Sequence, residues 1–549
     1  MSPNNPEGRA ETRAPVNDPS TQSPRHQLHP RFYYAALLLV ILLVAGIRFH
    51  LRTMPLERDE GEYAYAGQLI LQGIPPYALA YNMKLPGTYA AYAAIMSVFG
   101  QSAAGIRIGL LLINAATIIL VFLLAQKLAG SVSGPLTGFV AGTTYAVLST
   151  LPALLGFAGH ATHFVVLFAL AGILILLRAL NTQRGPLLFF CGGFLLGSAF
   201  LMKQPGIAFA VFGALYVARC SWKQPRLLVS REAAYLAGAA LPFALTCLAL
   251  THAGVFRNFW FWTFTYAREY SSETSLAMGW QALKQSLRWT MHPFPLWAIA
   301  EIGFVTLFWD RRWRPQLFFL ATLTAFSLLA VCAGFYFRPH YFILLLPAAS
   351  ILAGFAVTSV YRFLKQRRFP ASMRRVPLLI FIAACAFSLW DQRAFLFELN
   401  PVDAAQRIYA ANPFAEAIAA AKTVRASTTE ADTIAVFGSE PEIYFLSARH
   451  SATSYIYMYD LIKTQPYQVH MRQEMILQIV AAKPRVVIYV DDWASWGWKR
   501  GQEHDELFTW IENYIHENYE PIQQMQINAL PAHRWGEAAN VYIFRRTAP

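Results

Sequence analysis

Charged side chains are scarce in this 549-residue sequence, where Asp, Glu, Lys and Arg together make 14% against roughly a quarter in ordinary soluble domains. That deficit, beside 56% hydrophobic and 15% aromatic residues, excludes a soluble globular chain and points to a protein that lives in lipid. Acidic residues are the scarcer sign, 31 against 45 basic ones, for a formal charge of +14. The basic residues fall in short clusters between apolar runs, a placement that argues for orientation in a bilayer and against nucleic-acid binding. Cysteine is scarce too. The five present, Cys191, Cys220, Cys247, Cys332 and Cys385, lie in or beside apolar segments without a C-x-x-C pair, so neither a disulfide framework nor a metal–thiolate site is expected. No internal repeat and no glycine-rich nucleotide-binding signature is found either.

What the sequence has in abundance is apolar runs of roughly 17 to 25 residues, the length at which a helix crosses a hydrocarbon core. Eleven spans are predicted, at 32–51, 105–128, 134–152, 163–180, 186–202, 206–219, 233–253, 290–309, 317–335, 341–361 and 377–391. The expected fold class is a polytopic α-helical membrane protein with outer-side juxtamembrane helices and a C-terminal soluble α/β domain. Residues 1–31, polar and rich in proline, are expected to be a disordered cytoplasmic tail. Residues 32–391 would form the transmembrane domain, its first apolar run retained as an anchor rather than cleaved, and residues 392–549 a domain on the outer side. Loops assigned to the cytoplasm carry Arg178 and Arg184; Arg219, Lys223, Arg226 and Arg231; Arg311, Arg312 and Arg314; and the basic 361–376 segment. The opposite loops are poor in Lys and Arg, which agrees with the positive-inside bias. Two outer stretches, 52–104 and 254–289, are too long to be connectors. The first is expected to hold two amphipathic helices lying along the membrane surface, joined by a proline-broken turn at Pro75 and Pro76.

That first outer loop concentrates the scarce acid. Arg58-Asp59-Glu60-Gly61-Glu62-Tyr63 places three carboxylates within four residues. One reading is N-cap chemistry for the following helix; another is a catalytic site. In the same loop, Lys84 of Lys84-Leu85-Pro86-Gly87 is a lone cation on a Pro/Gly turn. Such a lysine either snorkels to headgroups or binds a lipid phosphate as a point charge. A carboxylate beside a phosphate-binding cation has a chemical use, removing a proton from an incoming hydroxyl while the cation steadies the departing phosphate.

The stretch RDEGEYAYAGQLILQGIPPY followed by KLPG resembles the first outer loop of the lipid-phosphate-sugar-dependent glycosyltransferases of the GT-C fold, the protein O-mannosyltransferase and aminoarabinose-transferase group. The resemblance extends over about residues 32–391. It implies Asp59 as the catalytic carboxylate, Glu60 and Tyr63 in support of it, and Lys84 as a ligand of the donor phosphate. Lys203 at the outer end of a span and Tyr341 in Arg338-Pro339-His340-Tyr341 match family positions near that phosphate. His160, His163, Arg338 and His340 complete the candidate pocket. The sequence departs from the aminoarabinose branch at Met83, where that branch has a metal-binding glutamate, and at Glu62, where it has arginine. The expectation is therefore no obligatory metal, and a sugar other than aminoarabinose.

The implied partners are a polyprenyl-phosphate sugar donor, an acceptor hydroxyl on protein, lipid or glycan, and membrane lipid, in the inner (plasma) membrane of a bacterium. The rival reading is a lipid or sugar transporter or flippase, and a further one a non-catalytic assembly protein. Transporters commonly show inverted repeats and broken midplane helices, which this sequence does not display. Aromatics of the second outer loop, Asn258 to Tyr270, are expected to form an interfacial belt. Tyr455, Tyr457, Tyr459, Trp493, Trp496 and Trp498 either stack on sugar or pack the outer domain.

Overall fold

The structure, a computed structural model, describes residues 30–182, 185–410, 412–497, 505–527 and 539–547. Nearly all of the expected tail, together with Arg184 and Trp498, lies outside them. Eight helices open the chain: α1 Pro30–His50, α2 Arg58–Leu71, α3 Gly87–Phe99, α4 Ala103–Leu148, α5 Ala161–Ala179, α6 Gly185–Met202, α7 Ile207–Ser221 and α8 Pro225–His252. Helices Leu276–Thr290, Pro295–Trp309, Arg314–Val331, Leu346–Gln366 and Ala371–Asp391 complete the bundle. This is an integral membrane architecture, and each of the eleven apolar runs overlaps a helix.

Eight helices among the described residues are long and apolar enough to cross a bilayer, nine if Leu276–Thr290 and Pro295–Trp309, bent by 111°, make one span. The difference from eleven has local causes. Helix α7 has only 15 residues, and α4 is two helices joined at Gly130, whose φ of 74° suits a residue without Cβ. Beyond that break the chain folds back, bringing Gly138 against Phe122 and Gly134 against Gln126. The run expected at 341–361 starts later, because Pro339–Leu344 winds as a tighter 3₁₀ turn before Leu346–Gln366.

Small residues let α6 and α8 touch backbone to backbone. A Cβ on Gly193 would collide with the Tyr235 carbonyl oxygen, and one on Gly197 with that of Ala239. Close crossings of this kind hold helices together in lipid, where no hydrophobic drive does. The contact has a bearing on the site, since α6 ends at Met202 and delivers the next residue, Lys203, to the end of the bundle where Asp59 and Lys84 lie.

The C-terminal module carries a five-stranded sheet of order β2-β1-β3-β5-β4, with β1 Thr433–Phe437, β2 His450–Ser451, β3 Val486–Asp491, β4 Tyr519–Gln526 and β5 Asn540–Arg546. β1 pairs in parallel with β2 and β3, and β5 runs antiparallel to β3 and β4. Three of these strands stand out in the sequence as apolar runs. β2 spans only two residues, and β4, YEPIQQMQ, is a polar edge strand whose side chains are mostly exposed, so hydrophobic patterning does not mark it.

The outer loops differ from expectation in a telling way. α2 is not left open to headgroups, for Glu60 through Leu69 are all buried within the protein. The C-terminal module covers it: the backbone N–H of Ser451 donates to the Tyr65 hydroxyl at 2.9 Å, the Tyr65 and Tyr444 rings pack 5.2 Å apart, and Gly61 lies against Glu442 so closely that a Cβ there has no room. The aromatics after Asn258 only partly match an interfacial belt: Trp260 is exposed, but others turn inward. Phe259, Trp262 and Tyr266 are buried, with Trp262 against Tyr81 and Tyr455, and Phe261 against Tyr467. Burial of large rings between the two outer loops and the module is a stronger drive than their partition to headgroups.

Substituting Gly197→Val should force α6 and α8 apart and destabilise the detergent-solubilised protein by about 3 kcal/mol, read as a lower thermal unfolding midpoint. An unchanged midpoint would contradict this crossing.

Candidate active site

The N-terminus of α2 is closed by a capping box, in which the Glu60 N–H donates to Glu57 Oε1 at 3.0 Å and the Glu57 N–H to Glu60 Oε2 at 3.3 Å. The helical period then sorts the acids. Asp59 and Glu62, three apart, share one face, whereas Glu60 points elsewhere. On the shared face the Lys84 ammonium sits 2.6 Å from Asp59 Oδ1 and 2.6 Å from Glu62 Oε2. Its turn is fastened from two sides, for the Tyr77 hydroxyl donates to the Lys84 carbonyl at 2.7 Å and the Gln204 side chain to the Met83 carbonyl at 2.7 Å. Two tyrosine rings flank the ammonium, Tyr63 with its centroid at 4.7 Å and Tyr457 at 5.7 Å. Asp59 and Lys84 remain 29% and 24% exposed while Glu62 is only 1% exposed, so the outward-facing half of the triad is the Asp59–Lys84 pair.

Four more expected residues converge on this pair. His160, the cap of α5, places Nδ1 3.8 Å from Asp59 Oδ2 and 3.7 Å from Glu57 Oε1. Its ring stacks on His340 at 3.9 Å, nearly parallel. Lys203 Nζ lies 3.5 Å from His340 Nε2 and 4.1 Å from the centre of the Tyr341 ring. Arg338 stands behind them, close enough to influence the charge of both Tyr341 and Lys203.

Two expected site residues lie elsewhere. Glu60 does not face the pocket: Arg107 of α4 grips it at 2.9 Å and 2.5 Å, and the Gly159 N–H donates to it at 2.6 Å. It is fully buried and its role is architectural. The reason is its phase on α2, one residue off the Asp59–Glu62 face. His163, three residues after His160, turns inward on α5 toward Arg48 and the backbone of Gly156 and Ala158; Asp59, His160 and His340 gather without it.

The electrostatics follow from burial and neighbours. Burial opposes charge on Asp59, yet Lys84, then His160 and Lys203, outweigh it and hold this carboxyl well below the usual carboxylate range. Burial likewise opposes charge on Lys84, and Asp59 with Glu62 more than compensates, so its ammonium is held firmly protonated. Glu62 goes the other way, because burial and the charge of Asp59 raise it despite Lys84. Lys203 lacks a close carboxylate. Desolvation, reinforced by Lys84 and Arg338 and only partly opposed by Asp59, pushes it down to about 7. Burial also lowers His160 to about 3 despite Asp59, so it is neutral, as a stacked imidazole pair requires.

Asp59, His160 and His340 offer donor atoms within 4.8 Å of one another. They make a poor cage for a divalent ion, because the lone pairs of nearly parallel stacked rings point alongside each other rather than at one point. Lys84 also occupies Asp59. The surroundings suit an anion better: Lys84 is partly exposed, Lys203 stands near enough to feel both Asp59 and Lys84, and Arg338 adds positive charge beside Lys203 and Tyr341.

Glu62 enters the sequence as one of three clustered acids and as a departure from a family pattern, and its spacing from Asp59 signals the shared face. Tyr89, whose hydroxyl donates to Glu62 Oε1 at 2.5 Å, and Tyr457, at 3.1 Å from Glu62 Oε2, were not singled out for this role. Two tyrosines among 26 carry no distinguishing local signal.

With this geometry in view, known proteins become informative. Over residues 84–252 the sequence matches the family described as dolichyl-phosphate-mannose-protein mannosyltransferase. The structure resembles that of ArnT from Cupriavidus metallidurans bound to undecaprenyl phosphate, with a TM-score of 0.55 at 14% identity over 93% of this chain and 98% of that one. The chain has the GT-C fold. Archaeal oligosaccharyltransferase AglB from Archaeoglobus fulgidus, in complex with an inhibitory peptide and a dolichol-phosphate, shares it at a TM-score of 0.51 and 12% identity, over 90% of this chain and 73% of that one. No curated protein sequence matches the chain significantly. The GT-C scaffold places the Asp59–Lys84 loop at one end of its bundle, beneath the C-terminal module.

Two outcomes test this site. Glu60→Gln should destabilise the protein by about 3 kcal/mol by leaving the buried Arg107 charge half-paired, measured by thermal unfolding. Binding of a phosphate-bearing probe beside Lys203 should weaken as pH rises above 7, by up to about tenfold per unit, as Lys203 loses its proton. Titrations in nanodiscs across pH 6 to 9 measure this; Lys203→Met should flatten the profile, and an identical slope in that variant would remove Lys203 from the phosphate site.

Proposed function

We propose that this protein is an integral-membrane glycosyltransferase that moves a sugar from a polyprenyl-phosphate donor to an acceptor hydroxyl on the outer side of the membrane, with inversion. The observation that carries the reading is the outward-facing ion pair of Asp59 and Lys84 at 2.6 Å, backed by the unpaired cation Lys203 and by Arg338. The match to the mannosyltransferase family from Lys84 onward and the fold shared with ArnT bound to undecaprenyl phosphate support it.

In the proposed reaction the donor phosphate enters beside Lys203 and draws the Lys84 ammonium toward itself. Lys203, Arg338 and the Tyr341 hydroxyl bind its remaining oxygens. The acceptor oxygen attacks the anomeric carbon from the face opposite the phosphate while Asp59 takes the hydroxyl proton. The bond from anomeric carbon to phosphate oxygen breaks, and its electron pair leaves with the polyprenyl phosphate. Lys84 has two functions here: it neutralises the charge that grows on the leaving group, and by moving it unmasks the base it had been pairing.

A transporter would need its charged groups near mid-membrane, alternately accessible from both sides. Here they collect at one end of the bundle, under the C-terminal module, which favours transfer chemistry. The basic loops further support a cytoplasmic N-terminus and an extracytoplasmic C-terminal module, and the polyprenyl donor a bacterial inner membrane.

Asp59→Asn should lower transfer from a radiolabelled polyprenyl-phosphate sugar by about 10²-fold or more and leave the thermal midpoint near that of the parent, since this side chain is partly exposed. Full turnover in that variant would remove Asp59 as the base. Persistence of label in the lipid with the unaltered protein and a full set of acceptors would remove the transferase reading altogether.

A further inference from the structure

The contact that the bundle alone does not explain is the one the C-terminal module makes with Glu62. Glu62 is fully buried, and its two oxygens have three partners. Oε1 accepts from Tyr89 at 2.5 Å. Oε2 is shared by the Lys84 ammonium at 2.6 Å and the Tyr457 hydroxyl at 3.1 Å. Tyr89 belongs to the outer loop that holds the site, whereas Tyr457 reaches in from the module, close to its β2 strand. The same hydroxyl lies 3.1 Å from the carbonyl oxygen of Arg58. A phenol has one proton to donate, so it divides that proton between Glu62 and the backbone just before Asp59.

The module also fixes Arg58 itself. Its guanidinium is bound to Glu440 at 2.7 Å, to Asn412 at 3.0 Å and to the Ser439 carbonyl. Side chain and carbonyl of the residue preceding Asp59 are thus both held by the module. It touches the machinery in two places: at the residue before the carboxylate proposed as base, and at the carboxylate that competes for the proposed phosphate ligand.

We propose that Tyr457 makes the C-terminal module a part of the donor site, by drawing charge from Glu62 and so setting how readily Lys84 is released to the donor phosphate. Lys84 has a choice of anions. It can remain between Asp59 and Glu62 or turn toward an incoming phosphate, and the balance depends on how negative Glu62 is. Each phenol that donates to Glu62 disperses part of that charge, as a hydrogen bond to a carboxylate does. With the Tyr457 hydroxyl removed, the shared oxygen has Lys84 as its only partner, holds it harder, and leaves the phosphate a weaker ligand. Tyr457 is accordingly a positioning residue that acts through Glu62 and Lys84. The alternative, that it only packs the module down, is credible on its burial and on its ring stacked 5.9 Å from Tyr459; the two ideas differ in what the hydroxyl does.

Tyr457→Phe keeps the ring, its packing and its face toward Lys84, and deletes the one hydrogen bond. The inference rests on the transferase reading above, so two measurements are paired. In nanodiscs, the Kd of undecaprenyl phosphate should rise about tenfold in the variant. In the transfer assay, KM for the lipid-linked donor should rise by a similar factor with kcat within about twofold, and the thermal midpoint should not move. Unchanged Kd and KM, or a fall in kcat with Kd unaltered, would overturn the role given to Tyr457. So would a lower midpoint with Kd unchanged, which is the signature of packing. If the parent protein binds the lipid phosphate but transfers nothing, the transferase reading fails while the Kd comparison still judges Tyr457. If the parent does not bind the lipid phosphate, both ideas fall.

Discussion

A single ammonium held between two carboxylates organises the end of the bundle that the C-terminal module covers. Lys84 lies equally close to Asp59 and Glu62, in surroundings where an unpaired charge of either sign is strongly penalised. With both carboxylates ionised the triad carries one net negative charge, and its neighbours answer that excess: Tyr89 and Tyr457 donate to Glu62, while Lys203 is near enough to favour charge on Asp59. Because the lysine is paired already, accepting a lipid phosphate is an exchange of one anion for another. No new cation has to be stripped of water. Such an exchange is far less costly than creating a buried ion pair from separated, hydrated groups.

The fold brings these groups together by using the ends of its helices. Asp59 and Glu62 lie in the first turns of α2, and His160 caps α5. Lys203 follows α6, and Arg338, His340 and Tyr341 sit on the 3₁₀ turn before helix Leu346–Gln366. Each side chain stands where a rigid rod stops, which gives loop-like exposure with scaffold-like precision. The crossing of α6 and α8 through Gly193 and Gly197 therefore matters beyond stability, since it sets the height at which Lys203 emerges. Arg107 and Glu60 have the matching role on the other side of α2. They lock its first turn to α4, so that the Asp59–Glu62 face, and no other, looks toward Lys84.

Much of this was legible in the residues because charge is so scarce. In a chain with so few acids, three in four residues beside a solitary lysine stand out, and the structure does bring Asp59 and Lys84 of that loop together. Helices were legible as apolar runs. Their exact lengths were not, because hydropathy does not register the break at Gly130 or the 3₁₀ turn at Pro339–Leu344. Glu60 falls on Arg107 rather than beside Lys84 for a geometric reason: adjacency in sequence is not adjacency on a helix, and the acids that share a face are three positions apart. Tyr457 was invisible in its role because its partner lies 395 positions away, and no local pattern encodes a contact at that distance. The same holds for the buried rings between Tyr81, Trp262 and Tyr455, whose composition reads as well for a headgroup belt as for an interior.

One consequence of the triad bears on how such a site avoids wasting its donor on water. A carboxylate held well below its usual range by Lys84 is a poor base, so in the donor-free protein Asp59 has little power to activate a hydroxyl of any kind. Its basicity would recover only when a phosphate draws the lysine away, because the influence that depresses it is the one the phosphate removes. Base strength and donor occupancy are then linked through a single side chain. The linkage has a structural requirement: Lys84 must be mobile enough to change partners and Asp59 must not follow it. The turn bearing Lys84 is fastened through its backbone carbonyls by Tyr77 and Gln204, so a change of partner by the ammonium would involve its side chain alone. Asp59 stands on the first turn of a buried helix whose preceding residue is clamped by Glu440 and Asn412. In the proposed exchange it is the C-terminal module, through its hold on Arg58, that would keep the carboxylate in place while the cation changes partner.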